Sequence, residues 1–396
     1  MGRALFGNQS EIDLETDIDE LYKEAVNQAV LPLVYFSLTE SEKDFYSKDI
    51  SLKWEKKSYN YIVKNQRLLF EQNTIIELLK ENNIKFAILK GSSCAVNYPD
   101  PLLRAMGDID ILVSPQEQVK TVKLLQKNGY SDIYDKSHHC HFTIRKNGIT
   151  VEVHKEPNGL FINEDSIIKE KLNDFFSDTL ETVKTETGIP MLDNKHQALV
   201  LIIHKLEHFL SGGLGLRQVC DWAVFVEKRL TIELWNELEP IICDMGLSVF
   251  TNAITKVCID YLGLPQKSVP FEPKCDLELL ENIINHIMHC GNFGIKDKAY
   301  GEHFFVDAHS KSRISSFFKV MNSACKKHWP ICDKYSILRP IAPFVVYGRY
   351  IILRLKGERD RFEPIKLYKR SASKHELYKE IMPFIAKNQN NEDKER

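Results

Sequence analysis

The sequence is short of the features that mark most specialised protein classes. No apolar stretch approaches the roughly 20 residues that a membrane-crossing helix needs, so no membrane span is expected. Nine cysteines are scattered along the chain and none forms a CxxC pair, which argues against both a disulfide framework and a structural zinc site. With no apolar leader at the start, that cysteine usage points to a reducing, cytoplasmic setting. Charge of one sign is missing as well. The 53 basic and 55 acidic side chains leave a net charge of −2, so there is no strong nucleic-acid footprint, and such a partner would need a local basic patch. A GxxxxGK[ST] phosphate loop is absent, which excludes the P-loop enzymes. No internal repeat and no Ser- or Pro-rich linker interrupts the 396 residues.

What is present falls into three parts. The first ~12 residues are polar and expected to be loose. From there to about Lys80, apolar residues recur three and four apart, as in "DIDELYKEAVNQAVLPLVYFSL" and "SYNYIVKNQRLLFEQNTIIELLKENN", and predict amphipathic helices. The character then changes. "IKFAILKG" (84–91) and "DIDILVSP" (108–115) are short apolar runs closed by Gly or Pro and read as strands. "QEQVKTVKLLQKNGY" (116–130) has helical spacing. Two further strand-like runs meet at Asn147-Gly148, a hairpin signal. Beyond Asn163 helices are expected to dominate, near 194–210, 216–230, 231–246, 248–262, 276–290, 311–328 and 372–385. The fold class is therefore α+β: a helical region (1–83), a small mixed α/β module (84–160), a helical domain (161–386) and a disordered tail (387–396).

The chemistry gathers in the module. Side chains alternate along a strand, so Asp108 and Asp110 share one face while Ile109, Ile111 and Val113 take the other. Two carboxylates about 7 Å apart repel unless a cation lies between them, and magnesium is the natural oxygen-bound ion. Glu152 in "TVEVHKE" is a third acid on a strand able to lie alongside, and His154 shares its face. Lys90-Gly91-Ser92-Ser93 follows the first strand, where glycine allows close backbone approach and the hydroxyls and amides could cradle phosphates. The same DID tripeptide at Asp17 to Asp19 has no such context. It reads as a solvated helix start, with acids at the positive dipole end.

The order KGSS, then DxD, then a lone acid on a later strand resembles the polymerase-beta-like nucleotidyltransferase superfamily. More narrowly, "LKG...YPDPLLRAMGDIDILV...GY...VEVH...HKLEHF...GLGLRQVCDWAVF" is similar to the uncharacterised nucleotidyltransferase family of bacteria. The resemblance spans roughly 84–230. It implies that Asp108 and Asp110 hold two Mg2+ ions (Mn2+ as an alternative), with Glu152 as the third carboxylate that helps activate an acceptor hydroxyl. It also implies that Gly91 and Ser92, with Lys90, Ser93 and Arg104 nearby, hold the phosphates of a nucleoside triphosphate such as ATP. The implied reaction is attack on the α-phosphate with release of pyrophosphate. One departure is the longer interval between the Gly-Ser element and the DxD.

Other residues admit plainer readings. Arg104 could clamp a phosphate or brace the loop against the aspartates. His204 and His208, spaced i,i+4, could touch substrate or simply pack; a zinc site of HExxH type is excluded because the acid is not in place. Arg217 and Asp221 are also i,i+4 and could form a salt bridge or contact substrate. "HHCH" (138–141) and "HIMHC" (286–290) read as incidental. "PFVVYGRYIILRLKGERDRF" (343–362) reads as an amphipathic helix docked on the domain. The expected function is Mg-dependent transfer of a nucleoside monophosphate to an unidentified acceptor: a small molecule, a peptide, a protein or an RNA. Two alternatives stay open, a non-catalytic nucleotide-binding or scaffolding protein with the same fold and a toxin-like enzyme that nucleotidylates RNA or protein.

Overall fold

A computed structural model of the chain describes residues 1–9, 16–45, 48–132, 141–157, 167–211, 213–296, 331–342 and isolated positions between 325 and 381. The polar start is not loose throughout: Gly2–Phe6 forms a short helix, α1, whose Leu5 is buried. Next come α2 (Ile18–Asn27), α3 (Leu31–Ser37), α4 (Glu40–Phe45) and the long α5 (Lys48–Glu81). Asp17 caps α2, its carboxylate accepting from the backbone N–H groups of Asp19 and Glu20. This satisfies donors a helix start leaves orphaned, so the first DID is a helix cap.

A sheet follows. Its strands are β1 (Phe86–Ile88), β2 (Ile109–Val113), β3 (Ser131–Asp132), β4 (His141–Lys146), β5 (Ile149–His154), β6 (Lys184–Glu186) and β7 (Ile189–Met191). Their spatial order is β3-β4-β5-β2-β1-β7-β6. The sheet is mixed. β2 runs parallel to β5 and β1 parallel to β7, while the remaining neighbours are antiparallel. Asn147 (φ 50°) and Gly148 (φ 80°) turn β4 into β5. Both sit in the left-handed region that a two-residue hairpin turn demands. Between the strands lie α6 (Ser92–Ala95), α7 (Gln118–Lys127) and α8 (Ile167–Phe175).

One expectation changes here. The module does not end near 160, because β6 and β7 extend its sheet through a region expected to be helical. Of the N-terminal helical region, Leu68, Ile75, Ile76 and Leu79 of α5 share one core with Ile109, Ile111, Val113, Val151 and Val153. Each such buried aliphatic contributes about 1.5–3 kcal/mol, so α5 and the sheet stabilise each other. A second cluster of Ala87, Leu89, Leu112, Leu192 and Val200 covers part of the opposite sheet face.

Five further helices, α9 (Asn194–Ser211), α10 (Leu216–Arg229), α11 (Ile232–Asp244), α12 (Ser248–Asp260) and α13 (Leu277–Cys290), lie close to the expected positions, and a short α14 (Ile331–Lys334) comes later in the chain. The chain divides into one unit of residues 1–209 and 213–297 and a second of 210–212 and 298–396. In the second, Cys325, Cys332 and Ala342 form a small core with Trp329 and Leu338. The expected helices at 311–328 and 372–385, the 343–362 stretch and the tail fall almost wholly outside the described residues. Among the described residues no helix is long and apolar enough to cross a membrane.

Candidate functional site

Strand register assembles the site. Asp110 on β2 lies directly beside Glu152 on β5, and on β4 His141 lies opposite His154. Because paired residues share a face and the strand period is two, Asp110, Glu152, His154 and His141 all project from one side. Asp108, two positions ahead of Asp110, completes the set. The opposite side carries the aliphatics buried against α5, so Asp110 stands on a rigid strand, with Asp108 just ahead of its first residue.

His154 Nε2 donates to Asp110 Oδ1 at 2.9 Å and lies 3.3 Å from Glu152 Oε2. His141 Nε2 is 3.7 Å from the same Glu152 oxygen, and the two imidazole centroids are 4.8 Å apart. Lys90 Nζ reaches to 3.6 Å from Asp110 Oδ1. Burial opposes the charge on Asp110, yet Lys90 and the hydrogen bond from His154 hold its carboxyl well below the usual range. Asp108 goes the other way. Burial, together with the charges of Asp110 and Glu152, pushes it up to about 6. Burial works against charge on Lys90 too, but Asp110, Asp108, Glu207 and Glu152 surround it and raise its pKa.

The loops around this face have their own anchors. Gly91 adopts φ 59° and ψ −112°, a conformation that a side chain would strain. This sharp turn leaves Lys90 facing the acids. Ser92 and Ser93 do not present hydroxyls to the cleft: Ser92 Oγ donates to Gln72 Oε1 at 2.7 Å and Ser93 Oγ to Leu89 O at 2.7 Å, and both residues are buried. The segment ahead of β2 is held by Asn65 of α5, which donates to Leu102 O and Arg104 O and accepts from Met106 N. Arg104 pairs with Asp221 rather than with the aspartates of the DxD. It is 3% exposed, and its Nε and Nη2 donate to Asp221 at 2.9 and 2.7 Å, with Nη1 on Ala105 O. A guanidinium with its donors committed in this way is a brace, and phosphate contact is corrected accordingly. Asp221 also accepts from Tyr98.

Helices α9 and α10 supply the remaining residues. His204 and His208 touch each other, Nε2 to Nε2 at 3.1 Å. Burial and then Lys90 lower both pKa values, His208 to about 3, so both are neutral. Arg217 does not pair with Asp221 as i,i+4 spacing would allow. It donates to Ala105 O and Asn292 Oδ1 and stacks 5.1 Å from the Phe293 ring; burial and the Arg104 charge lower its pKa against the pull of Asp221 and Asp108.

The family profile described as "Uncharacterised nucleotidyltransferase" matches residues 15–263. The chain belongs to this family. An antigenic nucleotidyltransferase-like protein from Paracoccidioides brasiliensis is similar over 47% of this chain and 89% of its own, at 14% identity and a TM-score of 0.28, a level from which no structural likeness is inferred. No curated protein sequence matches the chain.

For this nucleotidyltransferase family member, three site neighbours escaped sequence reasoning. His141 belongs to the HHCH run taken as incidental; the alternation of β4 opposite β5 was the signal that could have found it. Glu207 of α9 acts electrostatically on Lys90 and Glu152, and only the tertiary docking of α9 brings it there. Asn65 lies mid-helix and carries no motif. The donor set tests well for a divalent cation: four carboxylates act on one ammonium group, and one of them, Asp108, is held back from ionising by burial and then by the charges of Asp110 and Glu152. A bound dication would relieve that repulsion.

Proposed function

We propose that the protein transfers a nucleoside monophosphate from a nucleoside triphosphate to an acceptor hydroxyl, releasing pyrophosphate. The observation that carries the reading is the strand register that sets Asp110 beside Glu152 with Asp108 on the same face, in a chain of a nucleotidyltransferase family. Asp108, Asp110 and Glu152 would hold Mg2+, two ions in the full arrangement. When bound, the metal supplies Lewis-acid stabilisation of the reacting phosphate and of the leaving pyrophosphate.

The chain's own residues do the rest. Lys90, aimed at the acids by the Gly91 turn, meets phosphate charge. His154 fixes the orientation of the Asp110 carboxylate through its hydrogen bond. Glu152 accepts the acceptor's proton. The phosphates meet backbone amides of the Gly91 turn rather than serine hydroxyls, since those are spent internally.

The test is incubation of the protein with each α-labelled nucleoside triphosphate, Mg2+ and a panel of small-molecule, peptide, protein and RNA acceptors. Pyrophosphate release and labelled product are expected from the wild type and from neither Asp108→Asn nor Asp110→Asn. Transfer that survives both substitutions would overturn the reading. One observation favours a second reading: Lys90 sits 3.6 Å from Asp110, where it competes with a cation for the carboxylate. A non-catalytic nucleotide-binding protein would bind triphosphate calorimetrically and release no pyrophosphate with any acceptor.

A further inference from the structure

The face that carries the aspartates also carries two imidazoles, and hard-ion chemistry does not call for them. Magnesium takes oxygen ligands and keeps several waters, whereas imidazole nitrogen suits zinc and the later first-row metals. His141, Glu152 and His154 each offer one ligating atom, and the three atoms lie within 4.8 Å of one another.

Two of the three separations approach those of a metal polyhedron. With bonds of about 2.0–2.1 Å, two ligand atoms on a tetrahedral ion stand about 3.3 Å apart. The observed spacings are 3.3 Å for His154 Nε2 to Glu152 Oε2 and 3.7 Å for His141 Nε2 to the same oxygen, so closing on an ion needs only small side-chain shifts. The frame is rigid. Both histidines and the glutamate lie on β4 and β5, a directly paired hairpin whose inner residues Ile144, Val151 and Val153 are fully buried. In the metal-free protein His154 Nε2 donates its proton to Asp110 Oδ1 at 2.9 Å; on taking a metal the ring releases that proton to solvent, and Asp110 stays with the aspartate pair.

We propose that His141, Glu152 and His154 form a site for a nitrogen-preferring first-row dication, zinc in particular, beside the all-oxygen aspartate pair. Three protein ligands with a coordination position left over is the arrangement of a zinc site open to solvent or substrate rather than of a closed structural one. Glu152 is common to this site and the proposed Mg2+ site. The zinc proposal does not require nucleotidyl transfer, because binding is read without nucleotide.

The test uses the full chain, stripped with chelator and titrated with Zn2+ and with Mg2+ in a calorimeter, and with Co2+ followed by its visible d–d absorption. One equivalent of Zn2+ is expected to bind far more tightly than Mg2+, and Co2+ should give the intense bands of a low-coordinate, nitrogen-ligated ion. His141→Ala should weaken Zn2+ by at least about 100-fold, at or beyond what losing an outer partner costs, while leaving Mg2+ binding in place. Asp108→Asn should do the reverse. Should His141→Ala fail to fold, His141→Gln keeps the bulk of the side chain and removes the imidazole. Zn2+ affinity no greater than Mg2+ affinity, or Zn2+ binding unmoved by both His141 variants, would overturn the proposal. Failure of the nucleotidyl-transfer reading alone would appear instead as intact metal binding without pyrophosphate release.

Discussion

Arg104 and Asp221, 117 positions apart, form a two-pronged ion pair in the interior, with Nε and Nη2 at 2.9 and 2.7 Å from the two carboxylate oxygens. The pair ties the segment ahead of β2 to α10, and so locates the start of the DxD strand. Removing one partner leaves the other charge buried and unpaired, which costs about 3–5 kcal/mol. Asp221→Asn and Arg104→Met should each lower stability by that order in urea unfolding. The double variant Arg104→Met/Asp221→Leu should lose much less than the sum. Burial works against the Asp221 charge, but Arg104 depresses its folded pKa below the unfolded value. The stabilisation is therefore present above about pH 4 and lost as pH falls through the folded pKa. Asp221→Asn should flatten that acid limb.

Asp108 is expected to trade stability for function. Burial and then Asp110 and Glu152 push its pKa up to about 6 in the folded protein, above the unfolded value of about 3.9. The folded state thus holds this proton more tightly, and metal-free stability falls as pH rises from about 4 to about 6. Asp108→Asn should raise the melting temperature of the metal-free protein at neutral pH, with a gain on the order of 2 kcal/mol, while removing transfer activity. No gain at pH 7 with the same pH profile as wild type would contradict this electrostatic account.

Lys205 of α9 is a charge held where none is needed. It is 2% exposed, donates to Leu201 O at 3.0 Å and lies 5.7 Å from the Trp222 ring. Burial lowers its pKa to about 8, against the pull of Asp221. Between about pH 8 and 10.4 the unfolded chain binds a proton that the folded one has shed, so stability rises with pH across that window. Lys205→Met, similar in length and apolar, should therefore stabilise the protein at pH 7, by about 2–3 kcal/mol. The difference between variant and wild type should shrink as pH approaches 10. Thermal melts over that range measure it.

Much of this molecule could be read from residue order. Strand alternation was enough to place Asp110 on one face of β2 and Ile109, Ile111 and Val113 on the other, because the strand period is two whatever the neighbours. The Asn147-Gly148 turn and the Asp17 cap were equally local: each follows from the φ or the hydrogen bond that one or two residues supply. The short β6 and β7, three residues each, were not legible. A run that brief has no measurable period, and β7 is a strand because β6 and β1 pair with its two edges.

Partner choice lay beyond local pattern. Spacing offered Asp221 an Arg217 four residues away, yet the fold gives it Arg104, because burial makes the best-satisfied carboxylate more important than the nearest cation. Ser92 and Ser93 carried the residue types of a phosphate cradle, but the Gly91 turn directs their hydroxyls inward to Gln72 and Leu89. His141 had no meaning in HHCH. It gained one when antiparallel pairing set it opposite His154 and beside Glu152. Residue order specified the strands and the faces of their side chains; long-range pairing of those strands and docking of α9 and α10 specified which charges meet, because contacts made across a hundred residues leave no period in the chain.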